Sequence, residues 1–205
     1  MKLKKPTGKV PAKISKHRKI QYPVDKIFVS RWSPRSFTGE KIPKKVLMTL
    51  FEAARWAPSA FNNQSWRFIY AFKGTKHWEK LYSLLGEWNK MWCDKAGVLM
   101  LLVSKKTYDY NGKPARTHSL DVGAAWENLA LQASMLGLAA HGMAGFDYDS
   151  AAKSYKLDKG YQVEAMIAVG VPGPKSKLPN ELKEKEVISG RKKISEFAFE
   201  GEFKQ

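Results

Sequence analysis

Residues 96–103 read AGVLMLLV, a run without a single charged or hydrogen-bonding side chain. An apolar run this short predicts a central strand that is buried on both faces of a sheet. Two further strands are predicted, one before and one after this run in the chain. Residues 66–72 are rich in aromatic side chains, and residues 162–169 form a second apolar run closed by Pro172.

Helical patterns alternate with these strands. Residues 43–57 carry apolar side chains at three- and four-residue spacing, with Pro43 suited to the first turn and Pro58 as the stop. A second helical stretch is predicted over 75–92, with a break near Gly86. Strands that alternate with helices imply α/β or α+β layers.

The longest predicted helix spans 119–138, and its apolar positions go nearly all round its circumference. Such a helix must be buried on most sides, so we expect it to pack on the sheet and also against a partner subunit. Residues 142–146 are predicted to form a glycine-bracketed turn. Asp147 is then placed to cap a short helix that ends near Tyr155.

Composition excludes several classes of protein. A chain of 205 residues with 43% hydrophobic residues suits one globular domain or one protomer of an intimate dimer. The single cysteine, Cys93, excludes an internal disulfide, and the four scattered histidines predict no metal site. No apolar run is long enough to span a bilayer and no secretory pattern is present, so a cytoplasmic protein is expected. The motifs of triad hydrolases, P-loops and dinucleotide-binding folds are missing.

The formal net charge of +17 is concentrated near the start of the chain. Residues 1–26 hold nine Lys or Arg and one Asp, a balance of +8. We expect a basic, flexible and solubilising N-terminal extension. The alternative is a protein that binds nucleic acid or another polyanion. Because no nucleic-acid-binding motif accompanies the charge, nucleic acid is not the expected partner.

Three segments could carry chemistry. In residues 31–35, RWSPR, two guanidiniums and the Ser33 hydroxyl could converge on a phosphate. The amide-rich loop at 57–66 suits the edge of a heteroaromatic ring. The glycines at 142 and 145 permit close approach of backbone to a ligand. Taken one at a time, a solvated basic loop, a polar turn and a tight turn explain these segments equally well.

Taken together and in this order, the segments resemble the nitroreductase family. The run that begins RWSPRSF at Arg31 and reaches Trp66 is similar to the family's N-terminal signature, and GMAGFD at 142–147 to its flavin motif. AMIAVGVPG at 165–173 and RKKISEF at 191–197 are similar to the strand and the basic segment that follow. The resemblance covers roughly residues 27–199.

The resemblance implies an α+β fold of three layers, with a central, mostly antiparallel sheet flanked by helices, in an intertwined homodimer. Residues 27–205 would form one FMN-binding domain that ends in a wrapping tail, with each FMN contacted by both subunits. Electrons would pass from NAD(P)H through FMN to a small-molecule acceptor, such as a nitroaromatic or a quinone, by a ping-pong mechanism. The flavin does the chemistry, so no catalytic side chain is expected. Dehalogenation, azoline oxidation and flavin fragmentation are the alternatives on the same fold.

The resemblance also assigns the flavin contacts residue by residue. The expected cofactor-binding residues are Arg31, Trp32, Ser33, Arg35, Pro58, Ser59, Asn62, Asn89, Ala144, Gly145 and Arg191. Arg31 and Arg191 would hold the phosphate, Arg35 would lie near the pyrimidine end of the ring, and the Gly145 N–H would face flavin N5. The loop with Pro58, Ser59 and Asn62 would reach the flavin of the other subunit. Two positions depart from the family pattern: Trp32 stands where many members have Arg or His, and Ala144 where some have an acid.

Overall fold

The computed structural model describes residues 9–203, which divide into two compact units. A central unit holds residues 33–186, and a terminal unit joins residues 9–32 to residues 187–203. Residues 1–8 of the expected basic extension and residues 204–205 of the expected tail lie outside the described residues. The flexibility of the extension stays a prediction.

Four strands of the central unit form one antiparallel sheet: β1 (Trp66–Phe72), β2 (Val98–Lys105), β3 (Ala139–Met143) and β4 (Tyr161–Gly170). Their order in the sheet is β1-β2-β4-β3. Every residue of β2 except the last is buried, because both faces of this strand are covered. The prediction of a central strand here is confirmed, and so is the α+β class.

The prediction of a turn over 142–146 is wrong at its start, since Gly142 and Met143 belong to β3. This strand pairs with β4, from Ala139 opposite Gly170 to Met143 opposite Met166. It was missed because it is short, contains a glycine and has no β-branched residue, which leaves a weak strand pattern. Its place in the sheet comes from pairing with β4.

Every helix predicted from the sequence is present, and three short helices, which begin at Ala12, Lys26 and Asn180, were not predicted. In chain order they are α1 (Ala12–Ser15), α2 (Lys26–Ser30), α3 (Lys44–Arg55), α4 (Lys76–Ser83), α5 (Glu87–Cys93), α6 (His118–Met135), α7 (Tyr148–Ser154) and α8 (Asn180–Lys183). The predicted break near Gly86 separates α4 from α5. Asp147 caps α7 as predicted, accepting a hydrogen bond of 2.9 Å from the Ser150 N–H. Among the described residues no helix is both long and apolar enough to cross a membrane.

Alternating side chains of β2 separate the core of the central unit into two layers. Leu99 and Leu101 pack in a cluster with residues of α4, α5 and α7, whereas Met100 and Leu102 pack in a cluster with residues of α3 and α6. A strand turns successive side chains to opposite faces, so one apolar run serves both clusters. The sheet is therefore sandwiched between helices, and the expected three layers are confirmed.

The long helix α6 is buried on one side only within the chain. Leu129 is fully buried, whereas Leu120 is 72% exposed, Met135 60% and Leu136 46%. Exposed apolar side chains on a long helix are consistent with the expected partner subunit. The homodimer itself stays a prediction.

Candidate functional site

The segment that carries Ser33 and Arg35 is anchored in the central unit by Phe37. The Phe37 side chain is 2% exposed and packs over Gly170, where an added Cβ would lie 2.6 Å from the ring. Its backbone pairs with Pro172 in an isolated antiparallel bridge. The aromatic residue at the end of the RWSPRSF run thus fixes the position of the polar residues before it.

Glu186 holds the backbone of the same segment. Its carboxylate accepts hydrogen bonds from the Arg35 N–H, at 2.9 and 3.0 Å from the two oxygens, and from the Ser36 N–H at 3.1 Å. Glu186 is only 7% exposed, so these N–H groups replace water as its partners. Nothing in the local sequence marks this residue, which lies about 150 positions away along the chain.

The Arg35 guanidinium lies over the same carboxylate. Its Nη1 is 3.8 Å from Glu186 Oε2 and donates to the Lys185 carbonyl at 3.1 Å. The side chain remains a quarter exposed, so it keeps access to a ligand. The Glu186 carboxylate therefore partly offsets the positive charge that Arg35 presents to a ligand.

The edge strand β3 brings the glycine motif to the Ser33–Arg35 segment. His141 of β3 donates from Nδ1 to the Pro34 carbonyl at 3.0 Å, and its ring centroid lies 4.7 Å from that of Trp92. Gly145 follows two residues after the end of β3. The Ser33–Arg35 segment and the glycine motif therefore lie along one edge of the sheet.

Gly145 and Asn89 are in direct contact, as their assignment to one site requires. The Gly145 carbonyl accepts from Asn89 Nδ2 at 2.8 Å and from the Gly86 N–H at 3.0 Å. Within residues 9–203 the Gly145 N–H makes no backbone hydrogen bond, and Gly145 is exposed. The neighbouring Ala144 is exposed as well. This motif presents a backbone donor to a ligand, with an amide side chain beside it.

Gly145→Ala is expected to displace Asn89 and to weaken ligand binding at this motif. An added Cβ would lie 2.9 Å from Asn89 Nδ2, which is closer than a carbon and a nitrogen pack. We expect a roughly tenfold loss of FMN affinity for Gly145→Ala and for Asn89→Ala, about the value of one hydrogen bond. The double variant should lose little more than either single variant, because both remove the same contact. Additive losses in fluorescence titrations would contradict this coupling.

The loop with Pro58, Ser59 and Asn62 has a strained backbone. Phe61, Asn62 and Gln64 have φ of 53°, 53° and 51°, in the left-handed region that costs a non-glycine residue about 1–2 kcal/mol. Pro58 and Asn62 are exposed, and Ser59 is half-buried and accepts from the Gln64 N–H at 3.1 Å. Strain of this kind persists where the surroundings enforce the conformation.

Two polar side chains enforce that conformation. Asp121 of α6 is 4% exposed, and both of its oxygens lie 3.3 Å from the Ala60 N–H. Asn63 is 8% exposed and bonds to Ser65 Oγ at 2.8 Å and to the Asp109 N–H at 2.8 Å. Among the described residues, no hydrogen bond or ring contact joins this loop to Gly145 or Asn89. One chain does not bring these two parts of the predicted site together.

Three aromatic rings cluster at the exposed tip of this loop. The Phe61 ring lies 5.4 Å from that of Tyr108 and 5.8 Å from that of Tyr110, and the two tyrosine rings are 5.5 Å apart. Phe61 is 76% exposed and Tyr110 63%. Phe61 and Tyr110 also line a groove of about 750 Å³ that runs along β1 and α3. An apolar surface of this kind accommodates a planar ligand.

In the terminal unit, Arg31 and Arg191 lie close to a third arginine, Arg18. Both guanidiniums act on Arg18, whose pKa is lowered first by burial and then by the positive charges of Arg191 and Arg31. Arg191 is exposed and donates to Ser189 Oγ at 3.0 Å. That Arg31 and Arg191 serve one anion stays a prediction. Arg18 was not expected, because it lies in the stretch interpreted as a solvated extension.

The remaining expected residue, Trp32, is half-buried and contributes no polar contact. Lys13 Nζ lies 6.0 Å from the centroid of its ring, at the outer limit of a cation–π interaction. Cys93 is fully buried, and burial raises the pKa of its thiol, so it is not a reactive nucleophile. Within residues 9–203, no group of three or more His, Cys, Asp or Glu side chains is placed to hold a metal ion.

Comparison with known proteins finds matches to one family. The model of the nitroreductase family matches residues 28–90 and 76–171. A Streptomyces coelicolor protein with the provisional name NADH dehydrogenase/NAD(P)H nitroreductase is 28% identical over 171 residues, which cover 72% of this chain and 83% of that protein.

Solved structures extend the agreement to the fold. The structure titled "oxidoreductase containing FMN" is 45% identical, covers 91% of this chain and 96% of its own, and superposes with a TM-score of 0.87. A nitroreductase structure in complex with FMN from Desulfovibrio desulfuricans is 24% identical, with a TM-score of 0.68 over 87% of this chain and 96% of its own, and shares the fold. The chain belongs to the nitroreductase family of oxidoreductases.

Proposed function

We propose that this protein is an FMN-dependent oxidoreductase that passes electrons from NAD(P)H to an electron-poor small molecule. The observation that carries the proposal is exposed Gly145, whose N–H makes no backbone hydrogen bond within residues 9–203 and whose carbonyl accepts from the Asn89 amide. The 45% identical structure whose title names FMN supports the choice of cofactor. The name of the Streptomyces relative supports NAD(P)H as the electron donor.

Each unit, taken by itself, holds donor groups of the kind that one end of FMN requires. A phosphate requires clustered charge-assisted donors, and the terminal unit supplies Arg31 and Arg191. A flavin ring requires a backbone approach without a side chain in the way, and an added Cβ at Gly145 would collide with Asn89. Ser33 and Arg35, fixed through Phe37 and Glu186, add a hydroxyl and a cation.

The chemistry that bound FMN supplies is two-electron transfer from NAD(P)H to the acceptor, with the two substrates using the site in turn. The protein's part is to bind the flavin, to orient its ring and to polarise it. Gly145 would donate its N–H toward the ring, and Asn89 holds this residue in place by bonding its carbonyl. Arg35 places positive charge near the electron-rich end of the ring, and Glu186 holds its backbone in place.

We further propose that the working form is a homodimer in which the loop with Pro58, Ser59 and Asn62 contacts the partner's FMN. Pro58 and Asn62 are exposed, and in the part of the chain that the structure describes no hydrogen bond joins this loop to Gly145 or Asn89. It is bonded to Asp121 of α6, the helix whose apolar residues Leu120 and Met135 are exposed. Pairing of α6 with its copy would bury those residues and bring the loop to the second site.

Phe61, together with Tyr108 and Tyr110, is proposed to stack against aromatic acceptors. Phe61→Ala is expected to raise the KM for a nitroaromatic or quinone roughly two- to tenfold, the value of one aromatic contact. The rate of reduction of the protein by NAD(P)H should stay near that of the wild type. Phe203→Ala removes a ring of the same 76% exposure in the terminal unit and serves as the control. Equal KM changes in both variants would contradict a specific role of Phe61 in stacking on the acceptor.

Steady-state kinetics test the proposed reaction directly. The purified protein, supplied with FMN, should oxidise NADH or NADPH only when an acceptor such as a nitroaromatic or a quinone is present. Double-reciprocal plots at several acceptor concentrations should give parallel lines, as a ping-pong mechanism requires. The proposal fails if neither nucleotide is oxidised with any acceptor in a screen that also includes halogenated compounds.

A further inference from the structure

Arg18 is a buried arginine in a stretch of the chain that resembles nothing in the family pattern. It is 8% exposed, although neighbouring Lys16 and Lys19 are exposed. Arginine is seldom buried without a set of partners that satisfies its donors. Its partners therefore indicate what it does.

The Arg18 guanidinium ties together the two segments that carry Arg31 and Arg191. Nη1 donates to the carbonyls of Val29 and of Arg31, the latter at 2.7 Å, which lie at the C-terminal end of α2. Nε donates to the Ser189 carbonyl at 3.0 Å, two residues before Arg191. Carbonyls at the end of a helix lack partners within the helix, so a cation satisfies them well.

The same arrangement concentrates positive charge. The guanidiniums of Arg31 and Arg191 lie near enough to Arg18 to lower its pKa, so each repels the others. Arg18 and Arg191 also line a cavity of about 800 Å³ in the terminal unit, together with Lys16, Lys19, Lys192 and several apolar side chains; within residues 9–203 no Asp or Glu lines it. An anion relieves such repulsion, and a phosphate accepts several charge-assisted hydrogen bonds at once.

We infer that Arg18 is a positioning residue for the phosphate of FMN. It fixes the backbones of residues 29–31 and 189–191, so that Arg31 and Arg191 are directed at one phosphate, and its own charge adds to the field. The inference rests on the proposed function, because it takes FMN as the bound cofactor. It makes the N-terminal extension part of the phosphate-binding group of the terminal unit.

The test compares FMN with riboflavin, which has the same ring and no phosphate. Dissociation constants are measured by fluorescence titration of the full-length apoprotein, for the wild type and for Arg18→Met, Arg18→Lys and Lys9→Met. Arg18→Met keeps most of the side-chain volume, and Lys9→Met removes an exposed charge from the same extension. The wild type and Lys9→Met should bind FMN much more tightly than riboflavin.

Arg18→Met is expected to weaken FMN binding by roughly 10- to 100-fold and to leave riboflavin binding within about twofold, since one set of charge-assisted contacts is worth a few kcal/mol. Arg18→Lys keeps the charge but not the planar fork, so its FMN affinity should lie between those of the wild type and Arg18→Met. It also provides the comparison if Arg18→Met does not fold.

Two outcomes would overturn the inference. The first is that the Arg18 variants bind both FMN and riboflavin as tightly as the wild type does. The second is an equal loss for both ligands together with a lower melting temperature of the apoprotein, which would make Arg18 a purely structural residue. A wild type that binds neither flavin would instead remove the proposed function itself, and the two failures are therefore distinguishable.

Discussion

Replacing Arg31 and Arg191 together by alanine is expected to lower FMN affinity by roughly 10²- to 10⁴-fold. A hydrogen bond to a charged group contributes about 1.5–3 kcal/mol, so the loss of two corresponds to about 3–6 kcal/mol. The substitutions also relieve the repulsion around Arg18, so the apoprotein should fold normally. Titration of the apoprotein with FMN measures the loss.

Lys192→Ala is the matched control, since it removes an adjacent exposed charge that lines the same cavity but is not assigned as a direct phosphate ligand. It should change the FMN dissociation constant by less than about threefold, as expected for a screened surface charge. An equal effect of Lys192→Ala and of the double substitution would show that only overall charge matters. The assignment of Arg31 and Arg191 would then be wrong.

Glu186→Ala is expected to lower stability more than any other single change in the candidate site. The buried carboxylate accepts from the N–H groups of Arg35 and Ser36, and its removal leaves both without that acceptor. Each unsatisfied buried donor costs about 1–3 kcal/mol, so we expect a loss of roughly 2–5 kcal/mol. In a domain of this size that corresponds to a fall of about 4–20 °C in Tm.

Glu184→Ala removes the same charge two residues earlier, from an exposed position, and should leave the Tm within about 2 °C. Glu186→Gln keeps one acceptor oxygen and should lie between the two. Thermal unfolding of the three variants without added flavin separates the structural effect from cofactor binding. A Tm for Glu186→Ala equal to that of Glu184→Ala would contradict the role of this carboxylate.

Local sequence patterns predict the elements that have a clear period or composition. The aromatic strand at 66–72 and the apolar runs of β2 and β4 were found within two residues of their ends, because side-chain pattern and burial agree there. The edge strand β3 was missed, because its place depends on pairing with β4 and not on its own residues.

The candidate site shows the same division between local pattern and distant partner. Asn89 and Gly145 were predicted through the resemblance, and the structure places them in contact. Glu186, Asp121 and Arg18 were not predicted, because each acts through hydrogen bonds to a backbone far along the chain or in another element. An isolated acidic or basic residue in a sequence does not reveal such a partner.

The long helix α6 marks the limit of what one chain shows. Its apolar positions all round predict burial on most sides, yet Leu120 and Met135 are exposed in the single chain. The difference has a physical explanation if a second copy covers them, and the loop held by Asp121 would then belong to two sites. The composition of the helix thus predicts more burial than one chain can provide.

Titration of the purified apoprotein with FMN, followed by flavin fluorescence and the visible spectrum, tests the central claim most directly. We predict saturable binding of one FMN per chain and a visible flavin spectrum that persists through gel filtration. The binding should weaken in the Arg31 and Arg191 double variant. A protein that remains colourless and binds no FMN at micromolar concentrations would contradict the account.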